Sequence, residues 1–283
     1  MRAMSIQKKI MLTLLYFTVA FAFSAYFLIP LWQTFVGAFS TLPDVLSGEF
    51  RLLPRTFSWN LPRLIEIQLY PNIWVMFTNT LILSTATIPT LFFSALAAYG
   101  LARFNGPGQG LVFGLILSSL MLPFAVTMVP RFLLFSNFGW INTYWPFFIP
   151  TIGGNAMVIF LLRQFMRNVP KELDDAGKVD GASSWRLFWS IMLPVCMPAL
   201  ATTFIFIFVG TWNDFMGPLI YLNSNRLFPF ALGIVTLRQA SNRVTEWNAI
   251  MFAALMATVP LLAVFFTFQR HIIKGVVMSG IKG

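Results

Sequence analysis

The sequence predicts an all-α polytopic membrane protein with six transmembrane helices, and three observations support this. The 283 residues are 58% hydrophobic and only 10% charged, where a soluble domain carries roughly 25% charged residues. Several apolar runs reach the ~20 residues that a helix needs to cross the hydrocarbon layer of a bilayer. Within those runs whole windows are apolar on every face, whereas the strands of a membrane β-barrel alternate apolar and polar residues.

The first run, residues 11–39, follows Arg2, Lys8 and Lys9. That charge pattern resembles a signal peptide, but the run exceeds the 7–15 residues of a signal peptide's apolar region, so a first spanning helix is expected. A polar stretch with Asp44, Glu49, Arg51, Arg55, Arg63 and Glu66 separates it from the second run, residues 74–102. The turn Arg103-Phe-Asn-Gly-Pro-Gly-Gln-Gly110 ends the second run through its glycines and proline. The third run is 111–135, and the fourth, 145–165, follows a turn with Gly139 and Asn142. A charged island covers 170–194, the fifth run 195–221, a polar stretch 223–247, and the sixth run 248–268. Residues 1–73 therefore form a tail, first helix and loop, 74–269 a five-helix core, and 270–283 a C-terminal tail. Small residues at four-residue spacing, Ser94 with Ala98 and Gly110 with Gly114, are expected to let helices approach closely.

Six crossings put both termini on one side. Arg2, Lys8, Lys9, Arg103, Arg163, Arg167, Lys171, Lys178, Arg186, Arg270, Lys274 and Lys282 fall on that side. Arg51, Arg55, Arg63, Arg131, Arg226, Arg238 and Arg243 fall on the other. The excess of cations predicts cytoplasmic termini and a cytoplasmic island. It accounts for the net charge of +10 without nucleic-acid binding. One cysteine, Cys196, allows no internal disulfide, and one histidine, His271, rules out metal sites built on several His or Cys ligands. There is no His-Glu-x-x-His and no Gly-x-Ser-x-Gly, so an intramembrane enzyme of those types is not expected. A Gly-x-x-x-x-Gly-Lys-Ser/Thr phosphate loop is absent too, so ATP would have to be handled by another chain.

The island is the most informative segment. Pro170 suits a helix start, and Glu172, Asp174 and Asp175 lie near the positive N-terminal end of that helix. Leu173, Ala176 and Val179 are placed on one face, and Gly181 is placed to end the helix in a left-handed conformation. Ser183 or Ser184 can cap a second short helix carrying Trp185, Leu187, Phe188 and Trp189, which Leu193-Pro194 closes. The segment reads as a helix-turn-helix lying flat on the membrane. The small residues Ala176, Gly177, Gly181 and Ala182 offer a face for a partner, and an interfacial linker without a partner is the other reading.

Asp175-Ala176-Gly177, Asp180-Gly181-Ala182, Ile191 and Leu193-Pro194 resemble the Glu-Ala-Ala loop of permease subunits of bacterial ATP-binding-cassette importers. Asp replaces Glu at 175 and Gly replaces Ala at 177, where it should loosen the helix by ~1 kcal/mol. The resemblance extends to Asn79-Thr80, Ala97-Ala98-Tyr99 with Ala102-Arg103-Phe104, and Trp212-Asn213-Asp214-Phe215 with Pro218-Leu219. Gln269-Arg270, Lys274-Gly275 and Lys282-Gly283 are similar to the C-terminus of maltose-type carbohydrate importers, specifically their smaller six-span permease.

That resemblance implies the type I importer fold in a bacterial cytoplasmic (inner) membrane. It implies a heterodimer with a second permease subunit, two ATP-binding subunits that hold ATP and Mg, and an extracytoplasmic solute-binding protein, with no cofactor on this chain. It also implies that the chain is no enzyme itself, and that the cargo is an oligosaccharide, polyol or related glycoside. Glu172, Asp175, Ala176, Gly177, Asp180, Gly181, Ala182, Leu193 and Pro194 are implied to form the loop that docks on an ATPase subunit. The tail from Arg270 is a second contact of that kind or a solvated end.

Asn155, Trp212 and Asn213 are candidates to line the sugar path, since amides bond hydroxyls and aromatic faces stack on sugar rings. Packing or gating is the competing role for the last two. Gly153-Gly154 can bend the fourth helix or admit a neighbour. Asp214 is ionisable within or near a span, which points to function. Counted along straight helices it stands level with Arg131, and the two are expected to pair as an outer gate or brace. A permease for a non-sugar solute, or a stand-alone secondary transporter, remains the alternative. The latter is disfavoured because Asp214 and Glu246 are the membrane-level carboxylates on offer.

Overall fold

A long apolar segment in hydrocarbon can satisfy its own backbone polar groups as a helix. In the computed structural model, which describes residues 6–59, 72–239 and 246–280, helices make up nearly all the regular structure. Arg2, Arg63, Glu66, Arg243, Lys282 and Gly283 lie outside the described residues, as do the side chains of Lys8, Lys9, Arg238, Arg270 and Lys274. The chain divides into two units, one formed by Met1–Gln68 with Thr236–Met256, the other by Leu69–Val235 with Ala257–Gly283.

In the first unit, helix α1 (Ile6–Ala38) has 33 residues, about 50 Å at 1.5 Å per residue. The short α2 (Leu42–Leu46) follows. Thr41 Oγ1 donates to Asp44 Oδ2 at 2.8 Å, and Arg51 pairs with Asp44 at 3.1 Å and with Glu49. The Thr41 hydroxyl, with help from Arg51, holds the Asp44 carboxyl below the usual carboxylate range. Phe39 anchors an aromatic cluster with Phe57, Trp59 and Phe252. Gly37 lies directly beneath Met251, where a Cβ would overlap the Met251 sulfur.

The second unit contains α3 (Ile73–Ser84) and α4 (Thr87–Arg103), which together make one apolar rod, then α5 (Gln109–Ser119) and α6 (Phe124–Asn137), with the helices Phe230–Gln239 and Trp247–Gly280 belonging to it only through Val235 and from Ala257 onward. The short α7 (Trp145–Phe148), a 3₁₀ turn (Ile149–Gly153) and α8 (Ala156–Asn168) follow. The island folds as α9 (Glu172–Val179), α10 (Ser184–Leu187), a π-helical turn (Phe188–Met192) and α11 (Leu193–Val195). Then come α12 (Met197–Trp212), α13 (Met216–Tyr221), α14 (Phe230–Gln239) and α15 (Trp247–Gly280).

Among the described residues, four helical stretches are long and apolar enough to cross a membrane: Ile10–Ala38, Ile73–Arg103, Trp145–Asn168 and Trp247–Gln269. Two bent pairs bring the number to six if each counts as one crossing. The third expected run is one of these pairs, α5 and α6 meeting at 99°. Pro123, extended at φ −61° and ψ 140°, N-caps α6 at that corner. The fifth expected run, 195–221, is broken twice: the segment Ser184–Val195 meets α12 at 80°, and α12 ends at Trp212 before α13 begins. The sixth helix does not stop near residue 268 but continues through Gly280, so most of the expected tail is helical.

The core of this unit joins α4 and α8 to the island. Ala95, Ala98 and Tyr99 of α4, Val158, Ile159, Leu162 and Met166 of α8, and Phe188, Met192 and Cys196 are all buried together. Ser94 and Ala98 are fully buried there, so the first small-residue pair serves close packing. Gly110 and Gly114 do not: both are exposed, and a Cβ on either would meet nothing within 4 Å. Gly154 does both things expected of it. Its φ of +70° breaks the chain between the 3₁₀ turn and α8, and a Cβ there would crowd Ser94 Oγ at 3.1 Å.

Candidate functional site

The island is the best-defined candidate site. Lys171 N-caps α9, one residue later than a start at Pro170, and Glu172, Asp174 and Asp175 fill the first turn as the helix dipole favours. Gly181, at φ +75°, ends the helix, and the amide of Ala182 donates back to Gly177 O at 2.9 Å. Ser183 supplies the second cap, accepting from the Arg186 amide at 3.3 Å. The 80° bend at Cys196 sets the segment Ser184–Val195, the second half of the island, nearly across α12.

Two faces of α9 differ sharply. Asp174 and Gly177 point inward and are buried, whereas Glu172, Asp175, Ala176 and Val179 form the opposite face and are exposed. Val179 is 88% exposed, a β-branched apolar side chain with no cover in this chain. Asp175 pairs at 3.2 Å with Lys178 one turn on, an exposed pair worth little to stability. Asp180 and Gly181 are exposed at the turn, Ala182 and Leu193 are partly buried, and Pro194 is exposed.

Gly177 corrects the expectation that the small residues together offer a face to a partner. A Cβ at 177 would overlap Leu187 Cδ2 and lie 3.0 Å from Ile191 Cδ1, so this glycine lets α9 seat on its own chain's second helix.

Inside the seat, Arg103 at the end of α4 reaches Asp174. Nε lies 2.9 Å from Oδ2, with side chains only 4% and 10% exposed. The contact is an ion pair without hydrogen-bond alignment at Nε, and Asp174 Oδ1 has no partner among the described residues. Nη2 of Arg103 donates to Val169 O at 2.9 Å. Tyr99 OH donates to Ser184 O at 3.3 Å and ties α4 to the second island helix. The Ala102-Arg103-Phe104 pattern flagged the arginine, but no sequence spacing revealed a partner 71 residues away.

The candidate path residues separate. Asn155 caps α8, its Oδ1 accepting from the Val158 amide at 3.2 Å and its own amide donating to Ser94 Oγ at 2.8 Å. It lines a cavity of about 290 Å³ between α8 and α12, with Met157, Leu161, Thr203 and Phe206. Trp212 is not on that cavity. It is 2% exposed, donates Nε1 to Ala257 O at 3.0 Å and stacks on Phe208, so its indole packs α12 against α15. Asn213 is exposed and its amide turns back to Val209 O at 2.9 Å, finishing its own helix.

The expected Arg131–Asp214 pair is not formed. Asp214 Oδ1 accepts from the Gly217 amide at 3.1 Å and caps the turn into α13. Arg131 is exposed and pairs with no carboxylate among the described residues. Counting along straight helices failed because the bend between α5 and α6 and the break after Trp212 redirect both residues.

A polar cluster at the middle of α3 was visible in the sequence only as the pair Asn79-Thr80. Asn79 donates Nδ2 to Arg226 O at 2.8 Å and to Phe228 O at 3.2 Å, and accepts from Tyr144 OH at 2.7 Å. Thr80 Oγ1 accepts from the Phe230 amide at 2.8 Å. Asn142, at φ +61°, accepts at Oδ1 from the amides of Asn223 and Ser224. These bonds pin the 222–230 segment onto α3 and the 139–145 turn.

Residues 90–278 match the family described as binding-protein-dependent transport system inner membrane component. The chain belongs to this family. It is a multi-pass membrane permease, a transport component by family. Among curated relatives it is 31% identical over 269 residues to the arabinooligosaccharides transport system permease protein AraQ of Halalkalibacterium halodurans, covering 94% of this chain and 95% of that one. It is 36% identical over 205 residues to the lactose transport system permease protein LacG of Rhizobium radiobacter, covering 72% and 74%. Among solved structures, a chain of a bacterial ABC transporter importing the acidic polysaccharide alginate superposes with a TM-score of 0.82 over 96% of this permease and 100% of that chain, at 19% identity. That likeness establishes the ABC importer permease fold for this chain.

Proposed function

We propose that this permease is one of two membrane subunits of an ATP-driven importer, that its cargo is a carbohydrate, and that α9 is the surface through which ATP hydrolysis drives it. The observation that carries the coupling role is the exposed face of Glu172, Asp175, Ala176 and Val179, held on a buried base of Asp174 and Gly177. Acidic side chains around a bare apolar one suit a cleft with basic walls and an apolar floor. Such a surface on a partner would make different contacts in its open and closed states, which is what conformational driving requires. ATP and Mg belong to that partner, an ATPase subunit bound on the cytoplasmic side.

The carbohydrate assignment rests on the printed functions of the relatives, whose solutes are arabinooligosaccharides and lactose. In this reading a solute-binding protein delivers the sugar to the outer face, and a second permease completes the pathway. Asn155 at the start of α8, with Thr203 and Phe206 of α12, contributes to the path, where an amide and a hydroxyl lie beside an exposed aromatic ring. Trp212 and Asn213 brace the helix instead.

The test is to tag the chain, extract it in mild detergent with its neighbours co-expressed, and identify what co-purifies. Stoichiometric ATPase and second-permease subunits, with hydrolysis stimulated by lactose or arabinotriose plus the binding protein, support the reading. A chain that emerges alone and stable sinks it.

A further inference from the structure

Among the described residues, every other polar contact of α9 is local. Lys178 pairs within the helix, and the Gly181 and Ala182 amides close its end. The seat of Gly177 on Leu187 and Ile191 is apolar, so it sets a distance but not a direction. Among the described residues, Arg103–Asp174 is the one side-chain ion pair or hydrogen bond that joins α9 to a spanning helix.

Its placement is unlike that of a contact kept for stability. Both charges are nearly sealed from water, Nε is off the hydrogen-bond direction, and one carboxylate oxygen has no partner. Desolvation offsets most of the attraction in such a pair, so its net contribution to folding is small. A buried guanidinium does supply direction, because its planar donors fix two partners at once. Here those partners are Asp174 in the first turn of α9 and Val169 O at the exit of α8. Arg103 itself is the last residue of α4, the inner end of the rod Ile73–Arg103. A push on the exposed face of α9 therefore reaches two spanning helices through one side chain.

We propose that the Arg103–Asp174 pair is the joint that transmits movement of the docking helix to α4 and α8, making both residues positioning residues for coupling. The inference rests on the importer reading above. It extends that reading by locating the transmission point on buried residues that no ATPase subunit can touch.

The test uses the complete importer in proteoliposomes, with the binding protein and whichever of lactose or arabinotriose stimulates hydrolysis. Three variants are compared with the wild type: D174N, D174E, and the double variant R103M/D174L, which replaces the pair by apolar side chains. The readouts are bound ATPase subunit, rate of hydrolysis, and solute carried per ATP. The expected result for D174N and the double variant is retained ATPase subunit, hydrolysis within about twofold, and solute per ATP lowered about tenfold, in the range of site-to-site coupling. D174E should recover most of the loss. Unchanged solute per ATP in the double variant overturns the proposal. So does a proportional fall of hydrolysis and transport, or failure of D174N and the double variant to assemble, which would assign the pair to folding alone. If the wild-type complex itself neither assembles nor hydrolyses ATP, the importer reading fails and not this one.

Discussion

Gly177 shows how a single missing methyl can set the fit between two helices. Propensity alone counts glycine in mid-helix as ~1 kcal/mol worse than alanine. In this fold a Cβ at 177 would overlap Leu187, which is only 2% exposed and has nowhere to move. Overpacking of that kind costs ~1–3 kcal/mol, so G177A is expected to lower the thermal stability of the purified complex by about 1 kcal/mol. In an L187A background the overlap is gone, the tight approach to Ile191 Cδ1 can relax into the freed space, and the same substitution should become stabilising. Equal signs in the two backgrounds would show that Leu187 does not set the requirement for glycine. The sequence marked residue 177 as a departure from the family pattern, but the compensating bulk of Leu187 became visible only through the contact.

Elements in this protein are held by a few buried polar clasps between long apolar surfaces. The clearest joins α3, the 139–145 turn and the 222–230 segment through Asn79. N79A would leave the carbonyls of Arg226 and Phe228 and the Tyr144 hydroxyl without that partner, at ~1–3 kcal/mol for each buried group that water cannot reach. Y144F removes one bond and should cost only ~1 kcal/mol. The expected order, with N79A well below Y144F and the 222–230 segment becoming a protease site in N79A alone, is checked by thermal unfolding and limited digestion. Similar losses in the two variants would mean that Asn79 acts through Tyr144 only. A polar pair inside an apolar run was a legible sign, since buried amides are bonded almost without exception. Its partners, about 150 residues away for the Phe230 amide, were not.

For the molecule as a whole, the asymmetry of its 19 basic residues predicts which way it sits in the bilayer. With six crossings, both ends are expected to face the cytoplasm, together with α9. A fluorescent protein fused after Gly283 should therefore fold and fluoresce, and alkaline phosphatase at the same position should stay inactive. An active phosphatase there would invert the orientation and remove α9 from the reach of any cytoplasmic ATPase.

Composition and run length were sufficient for the helical membrane class, because covering ~20 residues of hydrocarbon leaves the backbone few other choices. The island's local architecture was equally legible: acidic first turn, left-handed Gly181, Ser183 cap. Those features depend on neighbours within a turn or two. Where long helices bend, and which distant side chains meet, are different questions. The 99° and 80° corners, the burial of Trp212 on α15, the separate fates of Arg131 and Asp214, and the Arg103–Asp174 pair all depend on how helices far apart in the chain pack. Hydrophobic patterning is non-directional. It specifies that surfaces are buried, and packing in three dimensions specifies against what.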